Sequence, residues 1–504
     1  MKKADGAAGM PFIPQDFKGK ETVFAPEWIK KETAEPARVS SPFPEASRPE
    51  PISEKHPLIV KGGRLILSRD SALPSDIKIR DGKIVLIGEN LIDNNALTVD
   101  ARGKYIFPGI IDPHVHLGIF TDFDTEIVTE TRSALLNGVT TIGLYLGGQD
   151  SYLGIVDEII GKIEKHAFCD VFIHLVILTR KQLEEIPLYH SRYGITSFKT
   201  YLCGIPGLIP EVEDDFLLDL MESVKGLGRD AVLNVHAENH RIVNRATERL
   251  KKERPILDSL VLWETTHPCL AEAEAIQRAA FLSKESGPKI YFVHLSCAES
   301  VRMAAALKKK NGNLFFETTS PYLSLDVEED GDFRYKMVPP IRHKKDQQAL
   351  WEGLADDVLD TIGSDHTPMS SGEKAVSVDL WDIPPGYPAV GTHLASLLDR
   401  AAKYRFPLER LAEKTSTGPA KIFGLYPRKG VLLPGSDADL VIVDPTLKKA
   451  ATPRAAASRS DYCLHEGRML SGWPVAVIKS GRLISLDLSE GPQTPVKGRY
   501  LKRG

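Results

Sequence analysis

GIIDPHVHL, residues 109–117, reads as a short strand that opens on apolar residues and carries two histidines one residue apart near its end. An apolar run bounded by turn signals is the pattern of a strand buried on both faces. Seven more runs of this kind follow it: TTIGLYL (140–146), DVFIHLVIL (170–178), GITSFKTYL (194–202), AVLNVHAE (231–238), KIYFVHLS (289–296), NLFFETTS (313–320) and VLDTIGSDH (358–366). Between them lie loops and amphipathic stretches such as DTEIVTETRSALLNG (124–138) and DDFLLDLMESVKGLG (214–228). Eight alternating strand and helix units predict an α/β fold, a (β/α)8 TIM barrel with inserted loops. An open, doubly wound sheet satisfies the same periodicity and differs in lacking closure.

On either side of this region the pattern changes. LIVKGGRLILS (58–68), SDIKIRDGKIVLIGE (75–89) and LTVDARGKYIFPG (97–109) read as short strands with glycine-containing turns, and so do SDADLVIVDP (436–445) and PVAVIKSGRLISL (474–486). Either piece alone would leave an apolar face bare, which predicts one small β-sandwich domain formed by both chain ends. The expected division is a Pro-rich N-terminal extension over 1–55, the first half of the β-sandwich over 56–107, the barrel over 108–427, the second half of the β-sandwich over 428–485, and a C-terminal tail over 486–504. The extension holds eight prolines between Pro11 and Pro51 and no sustained periodicity, the composition of an arm without its own core, free or packed on a neighbouring subunit.

Composition narrows the function classes. The 504 residues are 42% hydrophobic and 26% charged with a formal net charge of −4, which gives no footprint for nucleic acid or an anionic membrane. The five cysteines are odd in number and lack CxxC spacing, so neither a disulfide framework nor a thiolate zinc site is expected, and a reducing cytoplasm fits. No apolar run reaches the roughly 18 residues of a membrane span, and MKKADGAAGMPFIPQDFKG has no apolar core of a secretory signal.

Barrel enzymes place their chemistry at the C-terminal ends of the strands. His114 and His116 end the first strand and, as alternate residues, share one face. Lys199 lies on the fourth strand, where a bare ammonium is costly to bury. It reads either as paired with a carboxylate or as carboxylated by CO2. His236 and His294 end the fifth and sixth strands, and Asp365 the eighth. Taken singly, each of these residues also suits a hydrogen-bonded core position or a structural place at the barrel rim. Jointly, strand counting brings all of them to one mouth. Imidazole and carboxylate there suit Zn2+, with Mn2+ or Fe2+ as alternatives.

These residues and their surroundings resemble the amidohydrolase superfamily, in particular its cyclic amidohydrolases: hydantoinase, dihydropyrimidinase, allantoinase and dihydroorotase. The matching stretches are PGIIDPHVHLG, SFKTY, NVHAEN, VHLSCAES, GSDHTP and TSTGPAKIFGLYPRKGVLLPGSDADLVIVDP, within about residues 57–485. ETTSPYLSLD and AKIFGLYPRKG bring it nearest to the hydantoinase and dihydropyrimidinase branch. The resemblance implies two divalent metal ions. His114, His116 and Asp365 would hold the more buried one, His236 and His294 the other, with Lys199 as N6-carboxylysine bridging both. It implies attack of a metal-bridging hydroxide on the amide carbon of a small cyclic amide, with Asp365 as the catalytic proton carrier, and a homodimer or homotetramer. Ser320, at the end of the seventh strand, is the candidate for substrate binding. The chain departs from the hydantoinase pattern where Gly204 stands in place of a tyrosine five residues after the bridging lysine, and where it reads Pro388-Ala389-Val390-Gly391 instead of PGxE. An imidase, lactamase or other amide hydrolase on the same site is the first alternative. A non-catalytic, dihydropyrimidinase-related scaffold is the second.

Overall fold

The computed structural model describes residues 57–67, 71–284, 287–329, 331–485 and 496–503. The extension expected over 1–55, and residues 486–495 of the expected tail, lie outside the described residues.

The eight apolar runs form eight parallel strands: β6 (Ile110–His116), β7 (Val139–Leu146), β8 (Asp170–Val176), β9 (Ser197–Tyr201), β10 (Val232–His236), β11 (Lys289–Phe292), β12 (Leu314–Thr319) and β13 (Thr361–Gly363). Every strand lies beside its neighbour in sequence, in the order β6 to β13. A doubly wound sheet reverses its strand order at a switch point, and this one does not. Its two edges meet instead. Val115 bridges His366 in parallel register, and His116 N donates to His366 O at 2.7 Å. The Asp112 carboxylate adds a second tie, accepting from Ser364 N at 3.0 Å and His114 N at 3.1 Å. The sheet is a TIM barrel, and the join runs through the two segments that carry His114, His116 and Asp365.

The helices between strands follow ordinary start signals. The one over Arg180–Tyr193 opens with a reciprocal Thr179–Gln182 capping box and ends at Gly194 in the left-handed region. The one over Phe123–Leu136 is capped by Asp122 and buries Ile127, Ala134 and Leu135 against the barrel. It also buries Glu130, whose carboxylate pairs with His366 Nε2 at 3.0 Å and so holds the segment next to Asp365.

The flanking strands are β1 (Leu58–Ile66), β2 (Ser71–Arg80), β3 (Lys83–Gly88), β4 (Leu97–Asp100) and β5 (Tyr105–Pro108), then β14 (Leu440–Ala450), β15 (Met469–Lys479) and β16 (Arg482–Ser485). They form one mostly antiparallel sheet, in which β5 joins β14 with Ile106 opposite Ile442. Leu58, Val60, Ile77, Ile106, Leu440 and Ile478 fill a core separate from the barrel's. Both ends of the chain are needed for it, as the exposed apolar faces of the two pieces imply.

Residues 496–503 have a role that their sequence does not announce. Val171 N donates to Arg499 O at 2.9 Å and Leu501 N to Val171 O at 2.8 Å, so this segment runs along β8. Leu501 joins Ile111, Phe172, Val232 and Phe423 in a cluster that closes the barrel floor. Where barrel and small sheet meet, buried Asp170 is paired with Lys429, Lys479 and Arg499. Burial opposes the charge on Asp170, but Lys479, Lys429 and Arg499 outweigh it and hold the carboxyl well below its ordinary 3.8. The neighbouring Asp437 and Asp439 also pair with Lys429, so this acidic group is already neutralised by lysines. Removing one partner of such a buried cluster leaves uncompensated charge, so Asp170→Ala is expected to cost about 3–5 kcal/mol in a denaturant titration. The sign with pH follows from the lowered value. The stabilisation is present above the unfolded value and lost as pH falls towards the folded one. The variant's deficit should therefore shrink in acid, and a deficit independent of pH would contradict this account.

Candidate metal centre

The strand ends deliver His114, His116, Lys199, His236, His294 and Asp365 to the lining of one pocket at the barrel mouth. One ligand atom each from His114, His116 and Asp365 lies within 4.8 Å of the others. Asp365 Oδ1 is 3.1 Å from His114 Nε2 and 3.3 Å from His116 Nε2, and the two ring nitrogens are 3.2 Å apart. Across the pocket, His236 Nδ1 and His294 Nε2 face each other at 2.9 Å. Lys199 is fully buried on β9, and its Nζ has no hydrogen-bond partner among the described residues. Its ammonium lies 4.7 Å from the centroid of the Tyr145 ring and 5.0 Å from that of Tyr201.

Burial sets the charge states. It pushes the Lys199 amine down to about 7, against the pull of Asp365 and Glu317. It pushes the His116 imidazole down to about 4 and lowers His236 and His294. Burial alone would raise Asp365, but His114 and His116 more than offset it, and the carboxyl is held below the ordinary range. At neutral pH the pocket presents an ionised carboxylate beside the neutral imidazoles of His116, His236 and His294, donors of the kind a divalent cation takes. The buried Lys199 Nζ, between two aromatic faces and without a hydrogen-bond partner among the described residues, is a polar atom left unsatisfied beside these donors. The residues fit a metal centre.

His294 and Asp365 both stand at positive φ, 44° and 52°, where side chains other than glycine are strained. Strain of this kind persists when the surroundings over-determine it, and here Glu317 does much of the holding. From β12 its Oε1 accepts from His294 N at 3.1 Å and faces His114 Nδ1 at 2.7 Å. With Nδ1 turned to Glu317, the His114 ring presents Nε2 on the pocket side, towards Asp365 and His116. Tyr291 OH donates to the other Glu317 oxygen at 2.7 Å. Gly363 allows this packing, since a Cβ there would lie 2.9 Å from His114 Cβ and 3.1 Å from Glu317 Cδ. His236 is held in the same manner. Its Nε2 faces Glu238 Oε2 at 2.9 Å, and Glu238 Oε1 faces His267 Nδ1 at 2.9 Å. Orienting partners of this kind typically contribute about 10- to 100-fold to metal affinity or activity. Glu317→Gln is expected to lose that much affinity for a divalent metal ion in a chelator competition, and unchanged affinity would remove Glu317 from the site.

The strand-end pattern does not single out Glu317, Glu238 or His267. Glu317 does carry a signal of its own, as the one acid in the strand-like run NLFFETTS. Ser320 is buried at the start of a short helix, Ser320–Ser324, with its Oγ 2.8 Å from His393 Nδ1, and it is not among the pocket-lining residues. Gly204 has no room for a side chain, because a Cβ would lie 2.7 Å from Ile209 O and 2.9 Å from Glu211 N. The loop turns back there and brings Ile205, Leu208 and Ile209 to the pocket instead. A tyrosine does reach the pocket from elsewhere. Tyr387, from the loop after β13, donates to Asp365 Oδ2 at 2.8 Å.

Comparison with known proteins places the fold in a family. The profile of the Amidohydrolase family matches residues 208–484. D-hydantoinase of Geobacillus stearothermophilus is 34% identical over 88% of this chain and 96% of its own length. L-hydantoinase of Paenarthrobacter aurescens is 30% identical over 85% of this chain and 94% of its own. The crystal structure of dihydropyrimidinase from Brevibacillus agri NCHU1002 superposes with a TM-score of 0.81 at 31% identity, covering 89% of this chain and 99% of that one.

Proposed function

The chain belongs to the amidohydrolase family, among its hydantoinase-like cyclic amidohydrolases, and on that premise we propose that it is a hydrolase opening the ring C–N bond of a small cyclic amide. The observation that carries this reading is the convergence of His114, His116, Lys199, His236, His294 and Asp365 on one pocket. His114, His116 and Asp365 would hold one divalent ion and His236 and His294 another, with Lys199, once carboxylated, adding an anionic donor to the same pocket. Zn2+ suits the imidazole and carboxylate donors best, with Mn2+ or Fe2+ tolerated. Such ions lower the pKa of water towards neutrality and polarise an amide carbonyl. Asp365 accepts the proton that the attacking water gives up and returns it to the ring nitrogen, which leaves poorly unless protonated. Ile205, Leu208, Ile209 and Phe120 exclude bulk water around the reacting bond.

The same walls bear on the substrate. Among the described residues, no arginine and no lysine other than Lys199 lines the pocket. An uncharged ring with an apolar substituent suits these walls better than one bearing a carboxylate. The loop at Gly204 keeps imides and lactams in view as substrates of the same site. A complete donor set argues against a scaffold that has lost its metal. The five cysteines are all free, which supports a reducing, cytoplasmic setting, and no helix among the described residues is long and apolar enough to cross a membrane. Assembly as a homodimer or homotetramer completes the proposal.

The test is a screen of the Zn2+-loaded protein against hydantoins, dihydropyrimidines, cyclic imides, allantoin and lactams. The expected result is ring opening of an uncharged hydantoin or dihydropyrimidine, giving a new carboxylate without free ammonia. Fully metal-loaded protein that opens none of these rings would overturn the reading.

A further inference from the structure

Asp365 has two carboxylate oxygens with different surroundings. Oδ1 lies beside the Nε2 atoms of His114 and His116. Oδ2 accepts from Tyr387 OH at 2.8 Å. The side-chain torsion that sets the plane of an aspartate carboxylate is broad, so rotamer preference alone does not keep one oxygen on the histidine side. Tyr387 itself is held in place. Thr367 N donates to Tyr387 O at 3.0 Å, and the two residues form an antiparallel bridge, so the phenol is tied to the segment just after the aspartate. Tyr387 is buried, and it lines the pocket together with Phe120 and Pro385.

We propose that Tyr387 is a positioning residue for Asp365. Its hydroxyl fixes the rotation of the carboxylate so that Oδ1 stays on the histidine nitrogens, while its ring forms one side of the substrate wall. Tyr387→Phe separates the two roles because it removes only the hydroxyl.

The first measurement needs no substrate, and therefore stands even if the cyclic-amide reading fails. Zn2+ affinity is measured by competition with a colorimetric chelator, and Tyr387→Phe is expected to bind about tenfold or more weakly. The second measurement rests on that reading. At saturating Zn2+, kcat should fall about tenfold or more while KM stays within about threefold. Phe120→Leu is the contrast, altering the same wall without touching the aspartate. It is expected to move KM and leave Zn2+ affinity unchanged. Wild-type Zn2+ affinity together with wild-type kcat in Tyr387→Phe would overturn the proposal. So would a Phe120→Leu protein that loses as much Zn2+ affinity as Tyr387→Phe, since the effect would then belong to the wall and not to the hydroxyl.

Discussion

Lys199→Ala is expected to carry little metal and to lose at least about 100-fold in turnover, with partial recovery when acetate or propionate is supplied. Lys199 is fully enclosed, and its Nζ has no hydrogen-bond partner among the described residues. An unpaired buried ammonium is among the costliest groups a protein can hold. Burial pushes its pKa down to about 7, so the neutral amine is far more accessible near neutral pH than in an ordinary lysine. A neutral amine adds CO2 to give a carbamate and releases one proton. The product is an anion with two oxygens in place of a cation, which suits a pocket whose other donors are those a divalent ion takes. A short carboxylic acid can occupy some of the space the variant opens and offer the same two oxygens. Intact-mass measurement of the native protein should show the increment of one CO2. Wild-type activity in Lys199→Ala without any additive would sink the carbamate.

Asp365→Asn is the second large effect, with kcat expected to fall by about 10²- to 10⁴-fold. The amide keeps the size of the carboxylate and one oxygen for the His114 and His116 side, but it cannot accept a proton from water. Metal analysis run beside the kinetics separates the two roles of the residue. A protein that retains most of its metal and has lost turnover marks Asp365 as the proton carrier. A loss of turnover that follows metal content alone would reduce it to a ligand, and unchanged turnover would remove it from the mechanism.

The portions of this molecule legible in the sequence are those fixed by strand chemistry. GIIDPHVHL and the seven runs after it form strands that are almost wholly buried, and the histidine, lysine or aspartate towards the end of five of them stands out. Counting strands then predicts convergence, and the edges meeting at Val115 and His366 decide between barrel and open sheet. What is not legible depends on loops and on pairings distant in sequence. Nothing in the spacing of Tyr387 ties it to Asp365, because the segment between them has no periodicity. Arg499 and Leu501 give no sign of running along Val171, since that partnership rests on backbone hydrogen bonds. Ser320 draws attention by its place at a strand end, but there the chain turns directly into a short helix, and the hydroxyl meets His393.

The joining of β5 to β14 has a consequence for how the molecule is made. Ile106 must find Ile442, and the whole barrel is translated between them. At about 5–20 residues per second, the ribosome leaves β1–β5 waiting many seconds for their partners. During that time the β5 edge is an unpaired template on which another nascent chain can add. Chains arrested before residue 440 should therefore be the ones that aggregate or are held by chaperones. The barrel can begin to assemble during translation, whereas the small sheet can close only once β14 has emerged.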